Sequence, residues 1–254
     1  MNPTHDPNTI LEISDLRKEY PGFRLNHVSF SLNRGSIMGL VGRNGAGKTT
    51  TIKSMLGLIR PSGGTISCFG MELSSHEAEI KKRIGYACGA VDYYKKKPIR
   101  DIAAVTKLFY ENWDDAAYRH YLELFSLRDE KTPEELSEGM RVKLNLALAL
   151  SHHAELLVLD EPTSGLDPVS RSELLTIFRY LAQETGTAIL FSTHITTDLE
   201  SCADMITYLK NGTVQISGAL PDYLADCRSR GLGKTLEEIM IHDEQEAFHE
   251  KTAH

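Results

Sequence analysis

Along the first seventy residues the apolar positions change period more than once. Val28, Phe30 and Leu32 alternate with Ser29 and Ser31, the two-residue repeat of a strand buried on one face. The next segment, Ser36-Ile37-Met38-Gly39-Leu40-Val41, is apolar almost throughout, as expected for a strand covered on both faces. It runs into a glycine-rich turn, after which residues 48–58 read as a helix. Residues 10–70 are therefore expected to form short strands with one helix among them, the early strands antiparallel.

From residue 93 to 131 the character shifts. This stretch carries the single tryptophan, Trp113, and Leu108, Tyr118, Tyr121, Leu122 and Phe125 recur at helical spacing, which predicts a helical insert. Thr132-Pro133-Glu134-Glu135 reads as a helix start, with Thr as the cap, Pro at the first position and Glu at the third. Leu144, Leu146, Leu148 and Leu150 alternate like a strand, but the interleaved alanines and Ser137 as a cap favour a helix over 137–151.

Strand and helix then alternate. Residues 156–159 and 188–192 predict buried strands. Asp167-Pro168 opens a helix with Leu174, Leu175, Phe178, Leu181 and Ala182 on one face, and Gly186 closes it. Asn211-Gly212 between two apolar runs predicts a hairpin, and a polar helical segment follows. Alternating strands and helices imply an α/β fold with a mostly parallel sheet.

Composition narrows the class. The 28 basic and 35 acidic residues give a formal charge of −7, which argues against a nucleic-acid partner. The longest near-continuous apolar run, 144–150, is far short of the roughly 20 residues a spanning helix needs. The start MNPTHDPNTI lacks the basic and apolar segments of a secretion signal, so a cytoplasmic protein is expected. Cys68, Cys88, Cys202 and Cys227 have no disulfide or zinc-site spacing, and His152-His153 reads as a helix end rather than a metal pair.

The chemistry begins at Gly42-Arg43-Asn44-Gly45-Ala46-Gly47-Lys48-Thr49, a GxxxxGK[ST] pattern between a predicted strand and a predicted helix. Its glycines let backbone N–H groups converge on phosphate oxygens, and the helix N-terminus adds positive partial charge. Lys48 then reaches the outer phosphates and Thr49 the magnesium ion. Leu156-Leu157-Val158-Leu159-Asp160-Glu161 is an apolar strand ending in two carboxylates. Ligands gather at the carboxyl ends of parallel strands. Asp160 is placed there to hold Mg²⁺, and Glu161 to polarise a water.

With these residues in hand, the sequence resembles the ATP-binding subunit of an ABC transporter over about residues 10–240. Leu136-Ser137-Glu138-Gly139-Met140 looks like the LSGGQ signature, 23 positions ahead of Asp160 when counted from Ser137. Ser164-Gly165-Leu166-Asp167 matches the D-loop and His194 the switch histidine. Tyr20 falls where the family stacks an aromatic ring on adenine, with neighbouring Phe23 as the alternative. The resemblance implies a P-loop NTPase core with an antiparallel β subdomain and an α-helical subdomain. The core would take 10–90 and 152–218, the helical part 91–151 and a helical tail 219–254, all within one ABC ATPase domain over 1–254.

It also implies a mechanism. Two ATPase subunits, identical or close paralogues, pair head to tail and enclose two ATP molecules. Each nucleotide would meet Gly42, Arg43, Asn44, Gly45, Ala46, Gly47, Lys48, Thr49 and Thr50 of one subunit. Ser137, Gly139 and Asp167 would come from the other, and Thr49 and Asp160 would hold Mg²⁺. Glu161 and His194 are the implied catalytic pair. The partner would be a separate membrane-spanning subunit, which places this chain on the inner face of the cell membrane.

The sequence departs from the family at two places. No glutamine occurs before Gln183, and Gly89 stands where the family carries one that touches Mg²⁺; Asp92 is the nearest substitute. In the signature, Glu138 replaces a glycine and Met140 the glutamine. These features most resemble small bacterial exporters of peptides or antibiotics, including the YtrB-like group. Lys95-Lys96-Lys97 and Arg100 are either a solvated face or a contact with anionic lipid. The competing readings are a non-transport ABC ATPase acting on ribosomes or DNA, and a nucleotide-binding regulator with little turnover. The short single-domain chain argues against the first. Asp160, Glu161 and His194 argue against the second.

Overall fold

The computed structural model describes the backbone of residues 6–88 and 94–252, and side chains over 6–88 and 94–245. The chain opens with β1 (Thr9–Tyr20) and β2 (Phe23–Asn33), paired antiparallel across a turn at Pro21-Gly22. Then come β3 (Ile37–Val41), α1 (Lys48–Met55), β4 (Gly63–Cys68), β5 (Met71–Glu72), α2 (Leu73–Lys82) and β6 (Ile84–Cys88). The insert holds α3 (Ile99–Lys107), α4 (Asp115–Leu124) and α5 (Glu138–Leu150). The last part runs β7 (Leu156–Asp160), α6 (Pro168–Thr185), β8 (Ala188–Thr193), α7 (Thr196–Cys202), β9 (Met205–Lys210), β10 (Thr213–Ala219), α8 (Leu220–Ser229) and α9 (Leu236–Thr252).

Two sheets result. The antiparallel one has the order β2-β1-β4-β5. The larger has the order β10-β9-β3-β8-β7-β6, parallel from β9 to β6, with β10 antiparallel at its edge. Its central strands show no alternation in sequence because both faces are covered. Ile37 and Val41 of β3, Leu157 and Leu159 of β7, and Ile189 and Phe191 of β8 point into a core shared with the helical insert and α6. Their neighbours Met38, Leu40, Leu156, Val158 and Leu190 point the other way, into a core shared with the antiparallel sheet, α1 and α2. This is the α/β architecture expected from the sequence, with its antiparallel and helical parts.

The hairpin at Asn211-Gly212 forms as expected, with φ of 50° and 78° at the two positions. It also locks the sheets together. The Asn26 N–H donates to the Gly212 carbonyl at 2.8 Å, and the Gly212 N–H donates to the Ala46 carbonyl at 3.0 Å. A Cβ at Gly212 would lie 1.9 Å from the Arg24 carbonyl oxygen, so only glycine fits this junction.

Three local expectations need correction. Thr132-Pro133 opens only a 3₁₀ turn, Pro133–Glu135, in which the Glu135 carboxylate turns back to accept from the Thr132 N–H and hydroxyl at 2.7 and 2.8 Å. Leu136 is then extended, and helix resumes after Ser137. The insert is broken between α3 and α4, so Leu108 lies out of phase with the buried positions and is 83% exposed. The first helix ends at Met55 instead of continuing to residue 58, followed by Gly57 at φ 66°.

The four cysteines are free, with Cys68, Cys202 and Cys227 buried. His152, in the turn after α5, is a buried ring stacked on Tyr110, with centroids 3.7 Å apart and planes 5° from parallel. Burial pulls its imidazole down from the ordinary 6.5 to about 4. The neutral ring stabilises the fold fully above pH 6.5, and that contribution is lost as the pH falls toward 4, where only the unfolded chain takes up the proton readily. Urea unfolding across this range is expected to show a midpoint that drops with pH. A His152→Gln variant, which cannot be protonated, should lose that component.

Candidate active site

The carboxyl ends of β3, β7 and β8 meet in register, Val41 beside Thr193 and Asp160 beside Ser192. Ligand sites in parallel sheets form just outside this edge. From β3 the chain enters the 42–47 loop and delivers the start of α1, whose first turn carries no acidic residue to neutralise its positive end. Gly47 caps that helix at φ 113°, and a Cβ there would lie 2.5 Å from Leu25 Cδ2 on β2. A glycine is needed for the loop to close this tightly.

Lys48 starts α1, but its side chain turns back across the loop. It is 6% exposed, its Nζ donates to the Gly42 carbonyl at 2.7 Å, and it lies 3.3 Å from Glu161 Oε1. Glu161 has φ 52°, an unusual backbone for a non-glycine residue, held by its N–H donating to Ser192 Oγ at 2.9 Å. The Ser192 hydroxyl donates to Asp160 Oδ1 at 2.6 Å, and Thr49 Oγ1 approaches the same oxygen at 3.4 Å. His194, just beyond β8, places Nδ1 2.8 Å from Glu161 Oε2. One chain of contacts thus links Thr49, Asp160, Ser192, Glu161 and His194.

These groups open onto a cleft of about 640 Å³, a volume within the range of small-molecule sites. Arg43, Asn44, Gly45, Gly47, Lys48, Thr49 and Thr50 line it together with Glu161, His194 and Ser164. Gly42 and Ala46 lie beneath, Gly42 holding Lys48 and Ala46 holding the Gly212 turn. Arg43 leans away to pair with Glu244 of α9 at 3.2 Å. Tyr20 is not at the cleft: it is 42% exposed, with Lys18 Nζ 5.2 Å from its ring centroid. Phe23 is the aromatic on the wall, its ring against Gly47.

Ser137, Gly139 and Asp167 do not line this cleft either. Ser137 caps α5 by accepting the Met140 N–H at 3.3 Å. Asp167 caps α6, and the Ser170 hydroxyl and the N–H groups of Ser170 and Val169 hold its carboxyl below the usual range. The two helix starts touch, since a Cβ on Gly139 would lie 3.1 Å from Ser170 Cβ. Gly89 and Asp92 lie outside the described residues.

Sequence reasoning assigns no role to Ser192, which ties Asp160 to Glu161 from a fully buried position. The only signal was its place at the end of a buried strand, and its partner emerges only from the β7–β8 register.

The donor set fits magnesium. A hydroxyl and a carboxylate are hard oxygen ligands of the kind Mg²⁺ takes alongside phosphate oxygens and water. Among the described residues no group of three or more His, Cys, Asp or Glu side chains could hold a metal. A cation here therefore needs the phosphates to complete its shell.

Sheet order, glycine loop and strand-end acids define a P-loop nucleotide-binding protein. The family model described as ABC transporter matches residues 25–164. The bacitracin transport ATP-binding protein BcrA of Bacillus licheniformis is 36% identical over 208 residues, 81% of this chain and 68% of that protein. The ABC transporter ATP-binding protein YtrB of Bacillus subtilis is 30% identical over 206 residues, 81% of this chain and 70% of that one. A solved ATP-binding subunit of an ABC transporter superposes with a TM-score of 0.80 at 32% identity, covering 92% of this chain and 98% of its own. The chain belongs to the ABC transporter ATP-binding family, whose members are ATPases coupled to transport.

The cleft wall yields a discriminating measurement. Base-on-ring stacking contributes about 1–3 kcal/mol, so Phe23→Ala is expected to weaken ATP binding about tenfold in a nucleotide titration. Tyr20→Ala should leave it within about twofold.

Proposed function

We propose that this subunit powers export of a substrate, a peptide or antibiotic, through a separate membrane-spanning subunit. ATP-driven head-to-tail pairing of two ATPase subunits would supply the stroke. The observation that carries this reading is the division of the expected nucleotide contacts. The loop, Lys48, Glu161 and His194 converge on one cleft, while Ser137 and Gly139 start a helix away from it. Ser137, exposed at that helix start, would meet a nucleotide held by a second copy, with the helix's positive end toward the terminal phosphate. Similarity to the bacitracin transport protein BcrA and to YtrB supports the exporter reading. Among the described residues no helix is long and apolar enough to cross a membrane. The pathway would therefore come from a partner, with this chain peripheral on the cytoplasmic face.

Within the cleft each residue has a task. Backbone N–H groups of residues 43–49 and Lys48 bind and orient the polyphosphate. Thr49 and Asp160 would hold Mg²⁺, which would supply neutralisation of the phosphate charge. Glu161 accepts a proton from the water as its oxygen bonds to the γ-phosphorus, while the bond from that phosphorus to the β-phosphate oxygen breaks and ADP leaves. His194 steadies Glu161 through Nδ1 and keeps its other nitrogen for the γ-phosphate. Loss of that phosphoryl group removes the bridge between subunits and lets them separate.

Glu161→Gln tests the assignment. The variant is expected to bind ATP, run as a dimer in light scattering with ATP and Mg²⁺, and lose about 99% of turnover, in line with a positioned base contributing about 10²–10⁴-fold. Unchanged hydrolysis would remove Glu161 as the base. Tagged protein from native membranes should bring down a polytopic membrane protein; recovery of ribosomes in its place would end the transport reading.

A further inference from the structure

Beneath the Glu161–His194 pair lies a buried carboxylate that the proposed chemistry does not use. Asp198, in the first turn of α7, is 1% exposed and faces α6. Two other polar groups meet it there. Thr163 is fully buried two residues past Glu161, with its hydroxyl near the Asp198 carboxyl. Arg171 of α6 brings Nε to 4.0 Å from Asp198 Oδ1 and donates from Nη2 to the Leu166 carbonyl at 3.4 Å.

In this conformation the set is open. Thr163 Oγ1, Arg171 Nε and Asp198 Oδ2 are all buried and lack hydrogen-bond partners. A shift of about 1 Å would bring the arginine and carboxylate to bonding distance. A cavity of about 290 Å³, lined by Asp198, Arg171, Arg179 and Thr197, adjoins them and leaves room for such a shift between α6 and α7.

The carboxylate also carries a desolvation cost. Burial raises the Asp198 pKa, with Thr163 and Arg171 opposing. A carboxyl whose pKa is raised on folding lowers stability as pH rises through that value, so its charge is a burden at neutral pH.

We propose that Asp198 is a positioning residue for ATP hydrolysis. Its carboxylate stands between Thr163, on the Glu161 turn, and Arg171, which holds the 164–167 turn, and would tie the segment bearing His194 to both once the remaining distance closes. It sets where His194 stands relative to Glu161 without touching the nucleotide. This assignment rests on the roles proposed above for Glu161 and His194.

Steady-state ATP hydrolysis by the purified full chain tests it, with Glu161→Gln run alongside. Displacing a reacting group by about 1 Å can cost up to about a hundredfold. Asp198→Asn is expected to lower kcat about tenfold or more, with KM for ATP within about twofold and a Tm equal to or above that of the parent. Asp198→Glu should recover at least about half of kcat, because the adjoining cavity takes one more methylene. Thr163→Val should lower kcat in the same sense with KM unchanged. If Glu161→Gln is inactive but Asp198→Asn keeps kcat within about twofold, or Asp198→Glu does no better than Asp198→Asn, the Asp198 assignment is overturned and the site reading stands. A fall in Tm matching the loss of activity in Asp198→Asn, with Thr163→Val unaffected, overturns it too. Full turnover by Glu161→Gln would instead overturn the underlying site.

Discussion

The cleft depends on the parallel, in-register pairing of three short strands. β3, β8 and β7 lie far apart in sequence, and only their pairing sets Val41 beside Thr193 and Asp160 beside Ser192. A slip of one residue would turn every side chain to the opposite face, burying Asp160 among apolar neighbours. The slip is prevented because both faces are packed, with Leu157, Leu159 and Phe191 committed to one core and Leu156, Val158 and Leu190 to the other. Phosphate loop, acids and histidine inherit their spacing from that apolar register.

Much of this is legible in the sequence, for local reasons. The 42–49 loop is read from glycine spacing, and Asp160-Glu161 from an apolar run that ends in charge. Asp167 and Gly186 bracket α6 because capping is chemistry within one turn. What escapes is whatever depends on partners distant in the chain. Ser192 acquires its role only when β8 lies beside β7. Phe23 and Tyr20 flank the same turn as cross-strand partners, yet only Phe23 packs on the loop glycine. The capping pattern at Thr132 is real, but a local hydrogen bond serves a 3₁₀ turn as well as an α-helix. Spacing fixes the phase of Leu108, and the break after Lys107 discards it.

The altered signature has a structural context. Glu138 occupies the first helical position of α5, where a negative charge complements the helix dipole. Its Oε2 would lie 2.9 Å from a Cβ placed on Gly165, so the carboxylate covers the turn that leads into α6. Lys143 and Glu173 join the same two helices further along, at 2.6 Å. The starts of α5 and α6 thus pack together within one subunit, and a glycine at position 138 would leave the 164–167 turn uncovered.

The contact between Lys48 and Glu161 also gives the site an order of events. The lysine is nearly inaccessible, and its ammonium is shared between a loop carbonyl and that carboxylate. A polyphosphate bound in the loop, as proposed above, would compete for the same ammonium and leave the carboxylate its contact with His194. In the proposed reading, the ligand that fills the loop would also be what frees the acid on the opposite wall.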